Sequence, residues 1–172
     1  MTLIAIDPGI DGTGIACFDD MDIRRFGLYF AEVWTRPAHL DWQNVAASLA
    51  WKLDNLVSTY GMHCDVVCEW PRYFTGAVGQ AATAKGDIHK LSYLIGQFGL
   101  VCKMHHINMG LVPVNDWKGQ LPKETIERRI LRTIGAEHCK SLGLRDHAFD
   151  AVGIGMYVKG HRFDSAARTT NS

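Results

Sequence analysis

The stretch that decides the fold is LIAIDPGIDGTGIA, residues 3–16. Its four leading apolar residues predict a buried strand that ends at Asp7, and a second apolar run begins at Ile15. Pro8 favours extended backbone in the residue before it, and the three glycines that follow predict tight backbone passage. Asp7 therefore stands where a core strand reaches the surface. Two interpretations are open: a solvated aspartate in a hairpin turn, or a carboxylate placed for chemistry.

Length and charge limit the classes of protein that need to be considered. The 172 residues, 47% of them hydrophobic, favour a single domain, which we place at residues 1–160, with residues 161–172 as a disordered tail. Eighteen basic and eighteen acidic residues cancel, so the molecule as a whole has no field that attracts nucleic acid. A nucleic-acid partner must therefore meet a local basic patch.

Cysteine usage and hydropathy predict an intracellular protein. The five cysteines are an odd number and lie mostly in apolar runs, which predicts reduced core thiols. The first residues lack the basic segment of a signal peptide, and no apolar run approaches the roughly 20 residues that span a bilayer. We therefore expect a soluble, cytoplasmic protein that has no membrane partner.

Three strands at the start of the chain predict an antiparallel meander. The opening strand is followed by apolar runs at residues 13–18 and 27–34, with short turns between them. Later runs predict a strand at residues 64–69 and strand segments at residues 100–104 and 111–114. We expect an α/β protein with a central, mixed five-stranded sheet flanked by helices.

The helices follow from apolar residues that recur every three or four positions. The first helix has Asp41 as its predicted N-cap and Gly61 just past its end. The predicted helices occupy residues 41–60, 87–98, 123–134 and 146–157.

Acidic residues end two predicted strands and lie on the last helix. Asp7 and Glu69 each end an apolar strand, while His147 and Asp150 are three residues apart on one helix face. If the two strands are neighbours and the last helix crosses the sheet, these four side chains can converge. Asp146 lies beside them, and its alternative interpretation is that of a helix N-cap.

Carboxylates that converge in this way need a cation between them. Two unit charges about 4 Å apart repel by roughly 4 kcal/mol at an effective dielectric constant near 20. Oxygen-rich sites suit Mg²⁺ or Mn²⁺. Two such ions about 3.5–4 Å apart can activate water and stabilise the leaving oxygen of a phosphodiester. The pattern therefore indicates metal-dependent phosphodiester hydrolysis.

The motifs, in this order, resemble those of the RuvC family of Holliday-junction resolvases, within the RNase H-like superfamily. The resemblance rests on IDPG at residues 6–9, the strand-terminal Glu69 and HAFDA at residues 147–151, and it extends to about residue 160. It implies an RNase H-like fold and a homodimer of bacterial or phage type, found in the cytoplasm of a bacterial or phage-infected cell. It also implies binding of a four-way DNA junction and symmetric nicking with Mg²⁺ or Mn²⁺, in DNA recombination and repair.

The resemblance implies a role for each acidic position. Asp7 would bridge two metal ions, Glu69 would be a further metal ligand, and Asp150 matches the last acid of the family. His147 falls where the family has aspartate or histidine, which implies a metal ligand or a general acid or base. Asp146 is an additional acid beside it, so the identity of the fourth active-site residue stays open between the two.

DNA contacts are predicted for basic and aromatic residues. Lys118 resembles a basic residue that approaches the scissile phosphate in the family, although a plain surface lysine is the alternative. Tyr73 and Phe74 can stack on exposed bases or cover the core. The glycines at residues 12 and 14 predict a turn that leaves room for a DNA backbone above the metals. The predicted DNA-binding residues are Arg72, Tyr73, Phe74, Lys85, Lys90, Lys118, Lys123 and Arg128.

Other functions compatible with the sequence use the same fold. One is a different RNase H-like nuclease that acts on flaps or RNA–DNA hybrids, and another is a catalytically silent junction-binding module. The acids at the three matched positions argue against the silent module. A sugar-kinase or actin-like fold opens in a similar way, but it needs two lobes. Core packing is predicted for the small residues 81–84, and a dimer contact is the alternative.

Overall fold

The computed structural model describes residues 1–20, 22, 24–71 and 87–163 of the chain. Several predictions fall outside the described residues: the DNA contacts Arg72, Tyr73, Phe74 and Lys85, and the core packing or dimer contact at residues 81–84. Most of the predicted tail also lies outside them.

The five strands of the described chain form one mixed sheet. The order across it is β3-β2-β1-β4-β5. The first three strands pair antiparallel, whereas β4 pairs parallel with both β1 and β5. This confirms the predicted sheet and the predicted meander. The strands are β1 Thr2–Asp7, β2 Gly12–Asp19, β3 Leu28–Thr35, β4 Cys64–Trp70 and β5 Met109–Pro113.

Helices follow the strands and cover both faces of the sheet. In α1 the Asp41 carboxylate accepts a hydrogen bond from the Asn44 N–H, and Gly61 has a positive φ just past the last turn, so both predicted end signals are confirmed. Two 3₁₀ turns, Arg24–Gly27 and Gly61–His63, lie in the connections. The helices are α1 Trp42–Tyr60, α2 Asp87–Met104, α3 Val114–Trp117, α4 Lys123–Ile134, α5 Ala136–Ser141 and α6 His147–Val158.

Side chains of β1 alternate between two cores, because successive strand residues point to opposite faces. Ile4 and Ile6 pack with buried residues of α1 and α2. Leu3 and Ala5 pack on the other side with buried residues of α4 and α6. The central strand is therefore covered on both faces, and its polar end is where chemistry can occur.

The predicted strand at residues 100–104 is wrong, because these residues are the last part of α2. Phe98, Val101 and Cys102 are buried and continue the apolar stripe of the helix through Gly99. A short apolar run alone does not distinguish a strand from a buried helix segment. The neighbouring strand β5 begins earlier than predicted, at Met109.

Three further observations concern the end of the described chain, its hydropathy and its cysteines. Phe163, beyond the predicted boundary at residue 160, is buried, and its ring lies 6.2 Å from that of Trp117. Within the described ranges, no helix combines the length and apolar character needed to cross a membrane. All five cysteines lie in the described part of the chain; they are buried, and none of them forms a disulfide.

Candidate active site

The site begins where two parallel strands end side by side. Asp7 is the last residue of β1, and Glu69 is near the end of β4. The last paired residues of the two strands are Ile6 and Cys68, so the two acids follow at the same level of the sheet. The hydroxyl of the buried Thr13 donates to the Gly9 carbonyl oxygen at 2.8 Å, which holds the loop after Asp7 against β2.

Helix α6 contacts the sheet at Gly14, which pairs with Asp7 in the β1–β2 ladder. A Cβ atom at Gly14 would lie 1.9 Å from the His147 carbonyl oxygen, and one at Gly12 would lie 3.2 Å from the His147 ring. The space above these glycines is therefore filled by the first turn of α6. The prediction that they leave room for a DNA backbone is wrong; they admit the helix that carries His147.

His147 and Asp7 form the closest polar contact in the described part of this site. The His147 Nδ1 atom lies 2.6 Å from Asp7 Oδ2, and the Asp7 side chain is almost fully buried whereas that of His147 is 44% exposed. One potential ligand atom each from Asp7, His147 and Asp150 lies within 4.8 Å of the other two. The structure thus brings together residues from β1 and α6, as the sequence predicts.

A lysine and a tryptophan flank the acidic group. Lys118 Nζ lies 3.4 Å from Asp150 Oδ1, and it stands 5.4 Å from the centre of the Trp117 ring. The Trp117 indole N–H donates to Glu69 Oε2 at 2.9 Å. Both residues lie where α3 ends, so this short helix reaches the acids of β4 and of α6 together.

Burial and mutual repulsion determine the protonation of the acids. Burial raises the pKa of Asp7, against the hydrogen bond with His147. Burial, followed by the charge of Asp7, raises the pKa of Glu69 to about 8. The hydrogen bond with Asp7 raises the pKa of His147 in turn. In the metal-free site these three groups therefore favour their protonated forms more than they do in water.

These shifts predict that, without divalent cations, thermal stability falls as pH rises from about 5 to about 8. Over this window native Glu69 holds a proton that the unfolded chain has released, so the free energy of unfolding decreases with pH. His147, whose pKa is also raised, contributes in the same direction. We expect Tm to fall by at least about 5 °C, measured by scanning calorimetry in EDTA.

A matched pair of variants tests this prediction. Glu69→Gln removes the titrating group and should flatten the decline, whereas Glu137→Gln, at an exposed position on α5, should leave it unchanged. Equal pH slopes for wild type and Glu69→Gln would contradict the proposed electrostatics. A smaller decline in Mg²⁺ than in EDTA is also expected, because a cation favours the charged carboxylates.

Comparison with solved structures identifies known proteins that share this fold. The sequence matches no protein-family model and no curated protein. The structure is similar to RuvC of Thermus thermophilus, at 16% identity and a TM-score of 0.61 over 91% of this chain and 92% of that one. A second structure, T. thermophilus RuvC in complex with a Holliday junction substrate, gives 13% identity and a TM-score of 0.59 over 91% and 90%. The fold is RuvC-like. It is also the RNase H-like fold that the sequence predicts.

The donor set of this site fits hard divalent cations. Asp7 and Asp150 supply carboxylate oxygens and His147 an imidazole nitrogen, all within a space of a few ångströms. Oxygen donors are preferred by Mg²⁺, while Mn²⁺ also accepts imidazole. Glu69 is outside this group of three, but burial, and then the charges of Asp7 and Asp150, raise the pKa of its carboxyl group. A cation would relieve this repulsion.

The remaining predicted site residues lie around this group or apart from it. Asp146 is exposed, it precedes α6 with a φ of 40°, and its side chain makes no capping hydrogen bond. The structure places its carboxylate outside the group of three.

The predicted DNA-binding residues of the described chain lie on α2 and α4, apart from Lys118. Lys90 pairs with Asp87 and borders a cavity of about 210 Å³ beside residues 8–11. Lys123 begins α4 and lies 3.9 Å from Glu127, and Arg128 is exposed on the same helix.

Trp117 is a site residue that sequence reasoning missed. It lies between Asp116 and Lys118, in a segment that reads as a polar loop. The signal in the sequence was a large aromatic residue within a polar segment. Such a residue indicates a buried ring, and a buried indole needs a hydrogen-bond partner for its N–H. The structure supplies Glu69 as that partner.

Proposed function

We propose that the protein is a metal-dependent endonuclease that resolves four-way DNA junctions by nicking two strands symmetrically. The observation that carries the proposal is the convergence of Asp7, His147 and Asp150 beside Glu69 on a RuvC-like fold. One of the two similar RuvC structures contains a Holliday junction substrate, which supports branched DNA as the substrate class. Symmetric nicking requires two sites, so we also propose a homodimer.

In the proposed reaction Asp7, Glu69 and Asp150 would hold two Mg²⁺ or Mn²⁺ ions. Asp7, which lies against His147 and whose charge acts on Glu69, would be the central ligand. Bound ions would supply Lewis acidity toward the phosphate and would lower the pKa of an attacking water. The buried position of Asp7 keeps its carboxylate in one orientation and limits its competing contacts with water.

His147 and Lys118 complete the proposed site. His147 has one ring nitrogen, Nδ1, engaged by Asp7, which leaves Nε2 to hold or transfer a proton or to bind a cation. We propose His147 rather than Asp146 as the fourth active-site residue, because Asp146 lies outside the group of three. The ammonium group of Lys118 lies 3.4 Å from Asp150, and from there it can bind a phosphate oxygen of the substrate strand.

DNA binding is proposed to extend over the helices beside the site. Lys90, Lys123 and Arg128 lie on α2 and α4, and they offer positive charge for phosphates. Because the net charge of the chain is zero, local charge rather than the overall field must attract DNA. Arg72, Tyr73, Phe74 and Lys85 remain candidate contacts from sequence.

A cleavage panel tests the proposed substrate. Four-way junctions, flaps, RNA–DNA hybrids and linear duplexes of matched sequence are incubated with the full chain and Mg²⁺, and products are resolved on denaturing gels. We expect junctions to be cut at least about tenfold faster than linear duplexes, with paired nicks. Equal or faster cleavage of flaps or hybrids would replace the resolvase by another RNase H-like nuclease. Junction binding with no cleavage in either Mg²⁺ or Mn²⁺ would favour a silent binding module.

A further inference from the structure

Trp117 connects three parts of the site, although nothing in the proposed reaction requires a tryptophan. Its side chain is only 2% exposed, and its indole N–H donates to Glu69 Oε2 at 2.9 Å. Its ring lies beneath the ammonium group of Lys118, which is itself 3.4 Å from Asp150. The buried Trp117 ring therefore contacts Glu69 directly, and it also borders the Lys118 ammonium group, which contacts Asp150.

The packing around this ring fixes where its N–H points. A Cβ atom at Gly153 of α6 would lie 2.5 Å from Trp117 Cζ3, so the ring occupies space that only a glycine leaves open. On another side the ring meets Phe163 edge-on, at a centroid distance of 6.2 Å. An aromatic ring held on several sides has one orientation, and its polar atom then selects one orientation of its partner.

We propose that Trp117 is a positioning residue that holds Oε2 of Glu69 and leaves the other carboxylate oxygen available to a divalent cation. A free glutamate side chain has several rotatable bonds and loses rotamer freedom when it binds an ion. A donor fixed by packing removes that freedom before the ion arrives. Hydrogen-bond donors behind metal ligands have this effect in metal sites generally. The inference rests on the proposed function, because it takes Glu69 as a metal ligand.

The experiment measures Mn²⁺ binding directly, by calorimetry and by electron paramagnetic resonance of free Mn²⁺, on the full chain without DNA. Trp117→Phe keeps an aromatic ring and removes the N–H. Replacement of Trp117 by 3-benzothienylalanine keeps the full bicyclic shape and substitutes sulfur for the N–H, so it covers the case in which Phe leaves a destabilising void. We expect both changes to weaken Mn²⁺ binding by about 10- to 100-fold.

Trp51→Phe is the matched control, because Trp51 is 65% exposed on α1 and should leave Mn²⁺ affinity unchanged. Cleavage assays add a second readout: the Mn²⁺ concentration for half-maximal cleavage should rise more than the maximal rate falls. Wild-type affinity in the benzothienyl protein would overturn the positioning role and leave the proposed function intact. A wild-type protein that binds no Mn²⁺ at all would overturn both.

Discussion

Replacing Asp7 by asparagine is expected to abolish metal-dependent cleavage while junction binding survives. The substitution keeps the shape of the side chain and removes the charge at the proposed point of contact with both ions. Loss of metal-ion stabilisation worth several kcal/mol corresponds to a fall in rate of more than about a hundredfold. Cleavage is measured on denaturing gels in Mg²⁺, and binding is measured by mobility shift in Ca²⁺ or EDTA.

Stability separates loss of chemistry from loss of structure in this variant. Burial raises the pKa of Asp7, which means that the charged form is disfavoured in the metal-free fold. Asp7→Asn should therefore melt at or above the temperature of the wild type in EDTA. The gain in Tm from added Mg²⁺ should shrink in the variant, because fewer charged ligands remain for the native state to bind the ion.

Asp11→Asn is the control within the same loop. The Asp11 carboxylate is 90% exposed and pairs with Arg36, so its loss should leave cleavage near the wild-type rate. Undiminished cleavage by Asp7→Asn would refute the assignment of the site. Parallel loss of cleavage in both variants would point to an effect of the loop rather than of the buried carboxylate.

Much of this site was predictable because it depends on periodicity. Asp7 and Glu69 are separated by a long stretch of chain, but each ends an apolar strand, and parallel neighbours bring such ends to one edge of a sheet. The spacing of His147 and Asp150 places both on one face of α6. Strand ends and helix faces are properties of sequence, so convergence could be inferred.

Other features depended on tertiary contacts that no spacing encodes. The hydrogen bond between Trp117 and Glu69 joins α3 to β4, and its existence follows from packing around Gly153. The end of α2 was also missed, because an apolar run after Gly99 fits a strand as well as it fits a buried helix. The packing of Phe98, Val101 and Cys102 against the core decides between these alternatives.

The sequence also does not show which of the two adjacent residues, Asp146 or His147, reaches the site. Adjacent acids and histidines at a helix start look interchangeable in sequence. In the structure His147 is the first residue of α6 and contacts Asp7, while Asp146 has a φ of 40° and an exposed side chain. Backbone conformation at one residue thus separates the two candidates.

Gly14→Ala is expected to damage both stability and cleavage, because the contact it disturbs is between backbones. The added Cβ would lie 1.9 Å from the His147 carbonyl oxygen and 2.4 Å from the carbonyl carbon, and neither atom can rotate away. The first turn of α6 must therefore move off β2. Overpacking of this kind costs about 1–3 kcal/mol or more, which lowers Tm by roughly 2–12 °C in a chain of this size.

The movement of α6 also predicts the loss of activity. His147 and Asp150 both lie on the displaced turn, whereas Asp7 and Glu69 stay on the sheet. A shift of about 1 Å between groups that act together can reduce a rate by about a hundredfold. Cleavage should therefore fall even at temperatures where Gly14→Ala is fully folded, as judged by circular dichroism.

Gly96→Ala provides the matched control for Gly14→Ala. No atom lies within 4 Å of the position that its Cβ would take, and the residue is in the middle of α2. Alanine there should stabilise the helix by about 0.5–1 kcal/mol and leave cleavage unchanged. If Gly14→Ala behaves like Gly96→Ala, α6 does not rest on β2 at this point. If it fails as expected, Gly14 of β2 is what allows His147 to reach Asp7, the proposed central carboxylate.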